Sequence, residues 1–132
     1  DSSTSRGLGD VYKRQGIEIP IGTKIGAGLR LVHLNGIVIH KDAIIGKNCT
    51  IFHQVTIGEN EHKNDYDKVP IIGDNVYIGV GAKIIGNIKI GNNVKIGANA
   101  VVTKDVDDNT TVVGFNKHVV VKSERDNIYV YN

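Results

Sequence analysis

Ile72-Gly-Asp-Asn-Val-Tyr, Ile78-Gly-Val-Gly-Ala-Lys, Ile84-Ile-Gly-Asn-Ile-Lys, Ile90-Gly-Asn-Asn-Val-Lys, Ile96-Gly-Ala-Asn-Ala-Val and Val102-Thr-Lys-Asp-Val-Asp follow one another without a gap. The first slot of each six is Ile or Val, and the fifth is Val, Ile or Ala. Gly takes the second slot in four of the six. A period this short fits neither an amphipathic helix nor a free-standing sheet, and points to a solenoid. A slot that is aliphatic every sixth residue must face inward, and a Gly beside it suits a corner with positive φ or no room for a Cβ. Three such sides close a triangular coil of about eighteen residues, and successive coils stack at the strand spacing of ~4.8 Å. Each Ile or Val in the resulting ladders contributes roughly 1.5–3 kcal/mol on burial. Asn92, Asn93 and Asn99 fall in outward slots, where they suit turns.

The pattern extends upstream. Ile45, Ile51 and Ile57 take first slots, with Cys49 and Val55 in fifth slots. Continuing the same count places Ile21, Ala27, His33 and Ile39 in first slots, with Ile25, Leu31, Ile37 and Ala43 in fifth slots. Between Ile57 and Ile72 the step is not a multiple of six, so about nine extra residues protrude at one corner, drawn from 59–70. That stretch is charged and lacks aliphatic residues until Val69, which marks it as a functional excursion. After Val106 the register is expected to break at Asp107-Asp-Asn-Thr-Thr, and His118-Val-Val-Val reads as an edge strand.

The chain of 132 residues is one domain, and its net charge of +2 forms no basic stripe with interleaved aromatics, so nucleic-acid binding is not expected. Its lone cysteine, Cys49, reads as a core thiol. No signal peptide or membrane span is visible, which makes the cytoplasm the expected location. Residues 1–15 carry no hexads, and Asp10-Val-Tyr-Lys-Arg-Gln15 looks like a translated sequencing adaptor, so they are expected to be non-native. Residues 16–121 are expected to form the solenoid, and 122–132 a short tail.

Chemistry is expected where the pattern breaks. His33 stands in a slot that is aliphatic in nearly every other hexad, and an imidazole there suits a general base. The bland alternative is a histidine bonded to backbone at a coil edge. Glu18, fifteen residues earlier, falls near the same edge on the adjacent coil and could fix the base's tautomer; otherwise it is a solvated glutamate. His53 is a reserve candidate for the base. The histidines do not recur at coil spacing, so no metal site is expected. Backbone at Gly79-Val-Gly-Ala82 and Gly97-Ala98, with Lys83, Lys95 and Lys104 nearby, could serve a long phosphate-bearing ligand.

Taken together, these hexads resemble those of the hexapeptide-repeat acyltransferases, whose fold is an all-β, left-handed parallel β-helix. Within that family the chain is most similar to serine acetyltransferases. Gly16-Ile-Glu-Ile, Lys24-Ile-Gly-Ala-Gly, His33-Leu-Asn-Gly-Ile-Val-Ile, Val55-Thr-Ile-Gly, Ile78-Gly-Val-Gly-Ala-Lys-Ile-Ile-Gly-Asn-Ile and Val112-Val-Gly match in order. The resemblance implies that His33 is the catalytic base and Glu18 stands for its acidic partner. It implies acetyl-CoA as co-substrate, touching Gly79, Val80, Gly81 and Ala98 with Lys104 near a phosphate. It also implies a homotrimer with sites between subunits. The chain departs from the family at Val32 and Val69, where serine acetyltransferases carry Asp and His, at Pro20-Ile21, where they carry His-Pro, and at Glu18, where they carry Asp. The alternatives are a saccharide acceptor, a metalloenzyme of the γ-carbonic anhydrase type, and a non-catalytic solenoid.

Overall fold

The computed structural model describes residues 16–61, 68–114 and 117–120. The readings of 1–15, of the centre of the charged excursion and of 122–132 lie outside the described residues. Strands of two to four residues turn around a three-sided prism. The first full coil is β1 (Lys24–Ile25), β2 (Arg30–Val32) and β3 (Val38–Ile39). The second is β4 (Ile44–Ile45), β5 (Thr50–Phe52) and β6 (Thr56–Gly58). Then come β7 (Ile71–Ile72), β8 (Tyr77–Ile78) and β9 (Lys83–Ile85), followed by β10 (Lys89–Ile90), β11 (Lys95–Ile96) and β12 (Val101–Val102). β13 (Thr110–Val113) caps the stack, and β14 (Lys117–Val120) folds back on it.

Each side of the prism is one parallel sheet, in the orders β1-β4-β7-β10, β2-β5-β8-β11-β13 and β3-β6-β9-β12. β14 extends the second face as an antiparallel edge strand, as the sequence indicated. The interior is a column of fully buried Ile45, Ile51, Ile57, Ile72, Ile78, Ile84, Ile90, Ile96 and Val102, with Ala43, Cys49, Val55, Val76, Ala82, Val94 and Ala100 between them. These are the first and fifth slots, so both classes face inward. Cys49 is a core thiol: its Sγ donates to the Gly73 carbonyl at 3.2 Å, and burial raises its pKa above the usual thiol value.

Downstream of Ile39 the predicted register holds. Ile51 pairs with Ile78, 27 positions on, which is one coil plus the nine-residue excursion between β6 and β7. Ile78 pairs with Ile96, 18 positions on. Upstream, the count needs correcting. Leu31 pairs with Ile51 and Ile25 with Ile45, each 20 positions apart, while Ile39 pairs with Ile57 at 18. Two extra residues therefore enter between β2 and β3. Ile25 and Leu31 are the first-slot residues, whereas Ile21 is 66% exposed, and Ala27 and His33 are also exposed. His33 does not interrupt the ladder; it sits on a corner. A second correction lies at the far end, where Val106 pairs with Ile90, 16 positions back, so the register shortens before Val106 rather than after it.

The corners between the first and second faces are built alike. Asn48, Asn75, Asn93 and Asn109 stand at positive φ, where asparagine is the best tolerated residue after glycine. Side chains knit the tiers: Asp74 Oδ1 accepts the Lys47 amide, Asn92 Oδ1 the Asp74 amide, and Asp108 Oδ1 the Asn92 amide, all within 2.8 Å.

Ile84 lies inside its ladder between Ile57 and Val102. Replacing Ile84 by Ala should lower stability by about 2–5 kcal/mol, read as a shift in the urea midpoint, because the rigid coil cannot collapse onto the cavity. A pH effect is expected at the cap. His118 on β14 has its pKa lowered, chiefly by burial and next by Lys104, with Asp107 opposing. A depressed histidine contributes stability above its unfolded value of 6.5 and loses it as pH falls through the folded value. Amide exchange in β13 and β14 should therefore speed up, beyond its intrinsic pH trend, between about pH 7 and about pH 5, and His118→Gln should abolish that excess.

Candidate active site

The edge where the second face turns into the third gathers most of the residues singled out in the sequence. On successive coils it carries His33 to Gly36, His53-Gln54, Val80-Gly81 and Ala98-Asn99. Backbone bonds align these tiers: Gln54 N donates to the Asn35 carbonyl at 2.9 Å, Gly81 N to His53 at 3.0 Å, and Asn99 N to Val80 at 2.7 Å. The conformation is shared too, since Gln54, Gly81 and Asn99 all have positive φ near the corner, as do His33 and Gly36 in the enlarged first tier. The two extra residues are accommodated here because they fall in the corner loop, outside the paired strands β2 and β3.

His33 has φ 59° and is exposed, and its imidazole meets that of His53 edge-to-face, with centroids 5.3 Å apart and planes at 86°. The sequence count did not bring these two histidines together. They are 20 residues apart, which equals one enlarged coil, and that signal becomes visible only once the insertion is known. Glu18 lies one coil below. It pairs with Val38 and donates its amide to the Ile37 carbonyl at 2.7 Å. Among the described residues no hydrogen bond or ion pair joins Glu18 to His33. A carboxylate instead meets His40, on a different corner, where Nε2 stands 3.7 Å from Glu59 and Nδ1 accepts the Asp42 amide at 3.0 Å.

Further up the edge the coils approach too closely for a side chain at some positions. A Cβ at Gly79 would stand 2.9 Å from the Ala98 nitrogen, and one at Gly97 would stand 3.2 Å from the Val112 carbonyl. Gly81 lies under the Asn99 side chain. Val80 and Ala98 stand on this edge above the histidines, Val80 partly buried and Ala98 exposed. Lys83 reaches the same edge, and its Nζ donates to the Gln54 carbonyl. Lys104 does not share the edge. It follows β12 on the next corner and acts electrostatically on His118.

Two apolar residues precede the histidines on the second face. Val32 pairs with Phe52, and the Phe52 ring packs on Tyr77 with centroids 5.1 Å apart at 57°. Val69, at the end of the excursion, is buried in the core. Among the described residues no three His, Cys, Asp or Glu side chains are grouped to hold a metal, and no helix is long and apolar enough to cross a membrane.

Comparison with known proteins agrees with this architecture. Residues 70–104 match the family model described as bacterial transferase hexapeptide (six repeats). A serine acetyltransferase of Staphylococcus epidermidis is 49% identical over 110 residues, covering 83% of this chain and 51% of that protein. One from Synechococcus elongatus is 43% identical over 108 residues, covering 82% of this chain and 44% of that protein. The crystal structure of Neisseria gonorrhoeae serine acetyltransferase in complex with serine superposes with a TM-score of 0.71 at 43% identity, over 83% of this chain and 43% of that one. The fold is thus the left-handed parallel β-helix, and the chain belongs to the hexapeptide-repeat acyltransferases. Within that class it is most like the serine acetyltransferases, and it spans about half the length of the curated relatives it matches.

The close contacts at Gly79 yield a direct test. Gly79→Ala should destabilise the coil by about 1–3 kcal/mol, because the added methyl meets fixed backbone on the coil above. Gly97→Ala, whose tightest contact is looser, should cost less in the same thermal melt.

Proposed function

We propose that this chain is an acetyl-CoA-dependent O-acetyltransferase that transfers the acetyl group directly to an acceptor hydroxyl, with His33 as general base. The observation that carries this reading is the single edge on which His33, His53, Val80-Gly81 and Ala98 stack, so that an exposed base stands in line with the corners above it. A thioester lying along that edge would present its carbonyl near His33. His33 would take the proton of the acceptor hydroxyl as its oxygen attacks the thioester carbon, and CoA would leave as the thiol. A backbone N–H at the corner would stabilise the tetrahedral oxyanion. Glu18, one coil below, would orient the imidazolium once the acceptor is bound, since such contacts tighten in the reactive complex. Lys104 would reach a distal phosphate only across the third face.

We further propose a homotrimer whose neighbouring solenoid flanks this edge, as the family resemblance implies, and a cytoplasmic setting in which acetyl-CoA is available. The relatives are named for serine, which makes serine the leading acceptor and a step in cysteine biosynthesis its context. A second reading, a saccharide acceptor, is favoured by Val32 next to His33, by Phe52 and Tyr77 on the coils above it and by the burial of Val69. These apolar groups offer no charged partner to a zwitterion, and each such hydrogen bond forgone is worth about 1.5–3 kcal/mol. An exposed aromatic suits a sugar ring instead.

Thiol release from acetyl-CoA, followed with serine, homoserine and a set of sugars, tests both readings. Acceptor-dependent release is expected; its absence across the panel from a CoA-binding sample would overturn the enzyme reading. His33→Ala should lower kcat by about 10²–10⁴-fold while KM for acetyl-CoA changes little.

A further inference from the structure

Among the described residues Glu18 makes no hydrogen bond or ion pair with His33, yet a base exposed on a corner with two extra residues needs something to hold its ring. The group in contact is His53. His53 is well anchored for that task. Its carbonyl accepts the Gly81 amide at 3.0 Å, its neighbour Phe52 packs on Tyr77, and its neighbour Gln54 donates its amide to Asn35 within the loop that carries His33. The Gln54 side chain also fills the space over Gly36, where a Cβ would come within 2.5 Å of Nε2, so the enlarged corner rests on the His53 tier. Meanwhile Nδ1 of His53 is buried with no hydrogen-bond partner. A histidine kept for its hydrogen bonds would not leave a ring nitrogen so placed, because an unpaired buried polar atom is costly. What the ring does offer is its shape and its contact with His33.

We propose that His53 is a positioning residue for His33: its imidazole, fixed by the coil above, holds the catalytic ring edge-to-face and limits the orientations open to it. This rests on His33 being the base. The role is assigned to the ring rather than to Nδ1, and misplacing a reacting group by about 1 Å can cost about 10²-fold in rate. Phe at position 53 should therefore serve where Ala does not.

The test uses the full chain as wild type, His53→Ala, His53→Phe and His33→Ala, with acetyl-CoA and whichever acceptor supports turnover. His53→Ala should lower kcat by at least about fivefold with KM for acetyl-CoA nearly constant, and His53→Phe should be at least about threefold faster than His53→Ala. A smaller fall in the Ala variant, or a Phe variant no faster than Ala, overturns the proposal. His53→Phe removes the unpaired nitrogen and should melt no lower than wild type, which separates positioning from loss of fold. A second readout needs no turnover. The imidazole carbon–proton resonance of His33, assigned by its loss in His33→Ala, should shift in His53→Ala when the neighbouring ring current disappears and stay closer to its original place in His53→Phe. An unmoved resonance overturns the ring contact. Absence of turnover in wild type with every acceptor would overturn the enzymatic reading instead, leaving the ring contact to be judged by the resonance.

Discussion

Every coil of this protein must close so that its backbone N–H and C=O groups meet those of the coil above and below. That requirement governs the rest. An unpaired backbone group in the wall would cost about as much as a lost hydrogen bond, so the flat faces tolerate no change in residue count. Corner loops lie outside the paired strands and keep only isolated bonds between tiers, such as that from Gln54 N to the Asn35 carbonyl. The two extra residues beside His33, the nine-residue excursion after β6 and the two residues missing before Val106 all fall at corners. Departure from the repeat is therefore confined to the places where side chains can reach solvent and ligand.

The same constraint explains why the functional reading concentrates on one edge. Stacking at strand spacing turns residues far apart in sequence into neighbours: Val38 above Glu18, His53 above His33, Gly81 above His53 and Ala98 above Val80. Glycine at positions 79 and 97 keeps that edge flat, since any Cβ there meets backbone on the next tier. The interior contributes rigidity and little else. Its aliphatic column is almost uniform, which suits a scaffold that must hold corner residues in fixed register.

How much of this was legible depended on which slots were in question. From Ile39 to Val102 the hexads predicted the ladders, the excursion and the inward thiol of Cys49. Upstream the count went astray for a definite reason. First and fifth slots both face inward and lie two residues apart, so a slip of two exchanges one aliphatic slot for another. Ile25 and Leu31 looked acceptable in either role. The same degeneracy put Val106 in the wrong slot. His33 was singled out as a break in the ladder; the reason was mistaken, but the residue does stand on the edge to which the other candidates belong. Lys104 was grouped with that edge by sequence proximity and stands on the next corner. The contact between His33 and His53 could not be read at all, because their spacing of 20 matches no regular coil.

By itself, then, the sequence determined that the chain is a three-sided solenoid with an aliphatic core, because a sixfold period of Ile and Val has one compact solution. It also named most of the residues from which a site could be built. Only the tertiary structure decided which of them share an edge, since that depends on whole-coil register, and a two-residue insertion is invisible to a pattern whose inward slots are themselves two residues apart.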